Sequence, residues 1–79
     1  MRFGWSPEML LYEHWSLMRN ARIWAGLSQD ELAVIVGASR ETISSVERGA
    51  SIPSVTLALA IARALDTTVE ELFAAVELR

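Results

Sequence analysis

From residue 28 onward the apolar positions recur at helical spacing, and the runs they form are punctuated by serine, threonine, glycine and proline. Ser28 caps the first run, and Glu31 three residues on completes an S-x-x-E box that satisfies backbone donors in the first turn. Leu32, Ala33, Ile35 and Val36 supply its apolar face, and Gly37 stands where glycine can take left-handed backbone and turn the chain. Ser39 caps a second helix in which Ile43 and Val46 point one way while Arg40, Glu41, Ser44, Ser45 and Arg48 point the other. Gly49 stops this helix, and Pro53 forbids its continuation. The stretch from Gly26 to Gly49 therefore predicts two short helices joined by a sharp turn, the second keeping a polar outer face.

The flanks carry the same periodicity. Ser6-Pro7-Glu8 is a helix start, and nothing breaks a helix from there to Ala25; Met1 to Trp5 fits either a short strand or an unordered tail. Leu11, Trp15, Met18, Ala21/Arg22 and Ala25 form one stripe, and Leu10, Leu17 and Trp24, with Ile23 adjacent, form a second on another side. A helix apolar on two sides is usually buried on two sides. Ala50 to Ser54 is a loop, and Val55 to Leu65 is a strongly apolar helix at the back of the core, with Arg63 its only charge. Thr68 with Glu71 gives a second capping box, from which Val69, Leu72 and Phe73 close the core; Ala74 to Arg79 is left open as a strand or a dimer contact.

Composition narrows the classes. At 79 residues the chain holds one small domain with a limited core, for which association with a partner subunit is expected. It has no cysteine, which excludes disulfides, thiolate metal sites and thiol nucleophiles. No apolar stretch reaches membrane-spanning length before a charge, and no secretory leader opens the chain, so a soluble, cytoplasmic protein is expected. All seven basic residues are arginine. The net charge of −3 speaks against coating nucleic acid without sequence preference but leaves specific binding open. Arg19, Arg22, Arg40 and Arg48 fall near the second helix of the pair, whereas Asp66, Glu70, Glu71 and Glu77 lie towards the C-terminus. His14 is the only histidine, with no partner at metal-ligand spacing, and nothing assembles a nucleophile with a base, so neither metal, cofactor nor enzymatic activity is expected.

Met18-Arg19-x-x-Arg22, GLSQDELA, GASRETISSVERG, IPS, AIARAL and TVEELF stand in an order and spacing that resembles the XRE, or Cro/phage-repressor, class of helix-turn-helix proteins, from Met18 to Phe73. The resemblance implies an all-α fold, a compact five-helix DNA-binding domain over residues 16–79. Residues 1–15 are then an N-terminal extension, helical from about residue 7, whose role the resemblance does not supply. It implies base contacts from the N-terminal part of the second helix, which here are Arg40, Glu41 and Ser45. A guanidinium in the major groove can hold guanine O6 and N7 bidentately; the competing role for Arg40 is a phosphate clamp. Glu41 either accepts from cytosine N4 or simply favours a helix N-terminus. Gln29 matches the family's phosphate-binding glutamine; Ser28 is cap first and phosphate ligand second, and Thr42, Ser44, Arg48 and Ser51 are further phosphate candidates, each with a solvent-facing alternative. Arg22 and Glu47 match an internal ion pair.

The leading expectation is a sequence-specific transcriptional regulator, a repressor binding a palindromic operator on double-stranded DNA as a homodimer. Its dimer interface is expected from the second stripe, Leu10, Leu17, Ile23 and Trp24, which has no partner inside so small a chain. The alternative keeps the fold but makes a second protein, a toxin or another regulator, the main partner.

Overall fold

The computed structural model describes residues 15–77, with side chains described over 17–73. The described residues form five helices: α1 (Trp15–Trp24), α2 (Gln29–Val36), α3 (Arg40–Glu47), α4 (Val55–Ala64) and α5 (Val69–Glu77). Their boundaries follow side-chain chemistry. Ser28 Oγ accepts the Glu31 N–H at 3.0 Å while Glu31 Oε1 accepts the Ser28 N–H at 2.8 Å, so both halves of the capping box close. Ser39 Oγ accepts the Thr42 N–H at 3.1 Å. Ser54, the last residue of the expected loop, caps α4 by accepting the Leu57 N–H at 3.1 Å. At α5, Thr68 Oγ1 accepts the Glu71 N–H, and Glu71 Oε1 accepts from the Thr67 hydroxyl, each at 3.1 Å.

The C-termini close by a second device. Gly37 adopts φ 74°, and the Gly37 and Ala38 N–H groups return to the carbonyls of Val34 and Ala33 at 3.3 and 2.9 Å. The same pair of bonds ends α4, where the Asp66 and Thr67 N–H groups return to Arg63 and Ala62 at 3.2 and 2.9 Å. There the left-handed residue is Asp66, with φ 58°, the one non-glycine residue at positive φ among those described.

These short helices hold together by tertiary packing. α2 packs on α3 and α4, α1 on α3 and α5, and α4 on α5. Met18 and Ala21 of α1, Leu32 and Ala33 of α2, Ile43 and Val46 of α3, Ile61, Ala62 and Leu65 around the end of α4, and Leu72 of α5 meet in one core. Leu27, Val36, Leu57, Val69 and Phe73 pack around it. Fully burying a large aliphatic side chain contributes about 1.5–3 kcal/mol, so this cluster outweighs any intrinsic helix propensity.

Several expected positions differ. Ile35 is 57% exposed rather than part of the α2 apolar face. At about 100° per residue, Leu32, Ala33 and Val36 already span the arc that meets the core, and Ile35 falls outside it. Leu17, expected on the second stripe, is buried at 3%, because it shares the inward arc of α1 with Met18 and Ala21. Ala25, expected to continue the buried stripe, lies past the last turn of α1 and is exposed. Ala74 to Glu77 are helical where a strand was left open. The expected helix start at Ser6-Pro7-Glu8, the Met1 to Trp5 segment, and Leu10, Leu11 and His14 lie outside the described residues.

Candidate nucleic-acid interface

One helix, α3, divides cleanly between two environments. Ile43 and Val46 enter the core and Glu47 is buried beside them, while Arg40, Glu41 and Arg48 are exposed and Ser44 and Ser45 half-buried on the outward side. What sets the attitude of that helix is polar. Arg22 reaches from α1 to donate Nε to Glu47 Oε2 at 2.6 Å and Nη2 to Glu47 Oε1 at 3.3 Å, while its Nη1 donates to the Leu27 carbonyl at 2.8 Å. Gln29 Nε2 donates to Glu47 Oε1 at 3.0 Å. α1 and the first turn of α2 thus converge on a carboxylate at the end of α3 that is 1% exposed, and the turn before α2 is tied in through Arg22. Charge-assisted bonds of this kind fix orientation more firmly than apolar contact alone.

The candidate residues fall into two groups. Arg22 and Glu47 meet as the internal ion pair expected of them, so Arg22 spends its charge inside the domain. Gln29 sits half-buried at the α2 N-terminus, and a primary amide has a second N–H to offer an outside acceptor. Ser28 Oγ is committed to its cap, and Thr42 Oγ1 lies 2.9 Å from Ser39 Oγ. Ser51 is exposed just beyond α3. Arg48 Nη2 donates to Ser45 Oγ at 3.3 Å, joining a phosphate candidate to a base-contact candidate one turn away.

Two contacts were invisible to sequence periodicity. The Gln29–Glu47 bond and an ion pair between Asp30 of α2 and Arg40 of α3, 3.9 Å from Oδ1 to Nε, both cross from the start of one helix to the other. No spacing rule within a single helix reports them. Among the described residues no three His, Cys, Asp or Glu side chains cluster as a metal site, and no helix is long and apolar enough to cross a membrane.

A helix held by its buried end, with arginine and hydroxyl side chains on its outward side, is the arrangement of a helix-turn-helix reader. The helix-turn-helix family model matches residues 18–72, which takes in α2, α3 and the buried ion pair. The chain belongs to the XRE helix-turn-helix family. It is a DNA-binding transcriptional regulator of that family, which is not one of enzymes. This XRE domain is 45% identical over 56 residues to an HTH-type transcriptional regulator of Archaeoglobus fulgidus, covering 71% of this chain and 80% of that protein. It is 46% identical over 59 residues to another from Methanothermobacter thermautotrophicus, covering 73% and 86% of the two chains. With YgzD, an HTH-type transcriptional regulator of Bacillus subtilis, it shares 36% identity over 56 residues, covering 71% and 85%.

Proposed function

We propose that this XRE-family regulator is a repressor that binds a palindromic operator as a homodimer and acts by occupying a promoter. Arg40, Glu41 and Ser45 read base edges in the major groove, while Gln29, Thr42, Ser44, Arg48 and Ser51 hold phosphates on either side, with Ser28 contributing mainly as the cap that orients the α2 N-terminus. The observation that carries this reading is the asymmetry of α3, whose Glu47 end is locked by three donors while Arg40 and Glu41 stand exposed at its other end. Rigid placement of a reading helix is what converts side-chain chemistry into sequence preference.

Dimer formation has two surfaces in support. Ile23 and Trp24 remain 51% and 63% exposed at the end of α1, and Leu10 lies outside the described residues. Leu17 is already buried and presents no surface to a partner. Ile52, Val55 and Leu59 form a second exposed apolar stripe along α4 and the loop before it. Reading two half-sites of a palindrome requires a two-fold axis that sets two α3 helices about 34 Å apart, one turn of DNA. Selection of bound duplex from a random pool, with the mass of the winning complex measured, tests the whole reading. An inverted repeat bound by two chains is expected; a single half-site bound by one chain would overturn the homodimer.

A further inference from the structure

The geometry points to Asp30 as the residue that positions Arg40 for base reading, a carboxylate on the neighbouring helix that holds the guanidinium from its Nε edge. The inference rests on Arg40 as a base contact, and adds a partner that nothing in the local sequence of α3 supplies.

Asp30 lies in the first turn of α2, and its Oδ1 stands 3.9 Å from Arg40 Nε, at ion-pair rather than hydrogen-bond distance. Both side chains are open to solvent, at 76% and 55% exposure, so the pair does nothing for the core. An acid in the first turn of a helix needs no further explanation from folding, since it complements the helix dipole. Its approach to the first residue of the reading helix is a separate fact. A guanidinium has donors along two edges, and bidentate capture of guanine O6 and N7 can use the terminal nitrogens while the Nε edge faces elsewhere. Asp30 can therefore keep its partner when Arg40 reads guanine.

The consequence is a difference between sites. On the operator, Arg40 gains the guanine contact and retains Asp30. On a duplex lacking that guanine, Arg40 gains a phosphate only by swinging away and giving up Asp30, so the sequence-independent complex loses what the operator complex keeps. Asp30 also stands one residue from Gln29, where its charge opposes phosphate on every duplex equally. The first effect sets discrimination; the second lowers affinity uniformly.

Asp30→Asn removes the charge with little change of shape. Binding is to be measured by titration against three duplexes: the operator selected from a random pool, the same operator with the guanine read by Arg40 replaced, and a scrambled duplex of equal composition. Expected is a fall of about two- to fivefold in the operator-to-scrambled ratio, the range open to an exposed ion pair. In an Arg40→Ala background the Asp30→Asn change should shift all three duplexes by one common factor. An unchanged ratio in the otherwise native protein, or an equal fall in the Arg40→Ala background, overturns the inference and leaves Asp30 as a helix-dipole acid. If Arg40→Ala alone keeps full operator preference, it is the base-contact reading of Arg40 that fails, and this inference with it.

Discussion

Replacing Glu47 by alanine strips three donors of their acceptor at once: Arg22 Nε, Arg22 Nη2 and Gln29 Nε2. The arginine left behind is itself 8% exposed and keeps only the Leu27 carbonyl among the partners described above, so its charge stays in a largely dry site without a counter-charge. Removing one member of a buried pair costs roughly 3–5 kcal/mol, most of it the penalty on the stranded partner rather than the worth of the pair. A domain of 79 residues has about 4–12 kcal/mol in all, so the substitution takes a large share. Each kcal/mol moves the midpoint of a domain this size by about 4–8 °C, which puts the expected drop at 12 °C or more on the order of this scale. Thermal and urea unfolding of the purified chain measure it. Glu47→Gln, which keeps an acceptor for Gln29, should fall between wild type and alanine. The double change Arg22→Met with Glu47→Leu should recover most of the loss, since apolar residues of similar volume replace buried pairs at little cost. A Glu47→Ala midpoint within about 4 °C of wild type would refute the reasoning, because it would mean that water reaches Arg22.

Arg40→Ala should abolish preference for the selected operator, a loss of about 1–3 kcal/mol of discrimination, while leaving the unfolding midpoint nearly unchanged; retained preference in a binding titration would show that Arg40 only clamps phosphate. Asp66→Gly should raise stability by about 0.5–1 kcal/mol, since glycine takes the left-handed cap at φ 58° without the strain of a β-carbon, and an unchanged or lower urea midpoint would contradict this. Trp24→Glu and Leu59→Glu, compared by sedimentation at micromolar concentration, separate the two candidate dimer surfaces. Only the change on the true interface yields monomer, and dimers from both would place the contact elsewhere.

The parts of the fold that were legible from residues alone are those decided within one turn of chain. Ser28 with Glu31, Ser39, and Gly37 each act on backbone groups a few positions away, so their roles depend on little beyond local sequence. The inward placement of Ile43 and Val46 likewise follows from a helix whose other positions are all polar. Ile35 and Leu17 were less legible for a common reason. Both sit on helices with more apolar residues than one face can use, and which of them faces inward is settled by the neighbouring helices rather than by periodicity. In the interface the contrast is sharper still. Arg22 and Glu47 were paired by family resemblance, yet the part Gln29 plays in that network, and the approach of Asp30 to Arg40, arise from the angle at which α2 meets α3.

The division of α3 into a buried and an outward side bears on how such a protein changes over evolutionary time. Ile43, Val46 and Glu47 carry the folding contacts of the helix, and Arg40, Glu41, Ser44, Ser45 and Arg48 carry almost none. Substitutions on that outer side are near neutral for stability and nearly independent of the core, so the helix behaves as an exchangeable cassette. On the proposed reading, new target sequences can be sampled by drift at Arg40, Glu41 and Ser45 without passing through unfolded intermediates. Position 30 is the exception: a lineage that replaces Arg40 leaves its carboxylate without a client, and the two sites should therefore change together.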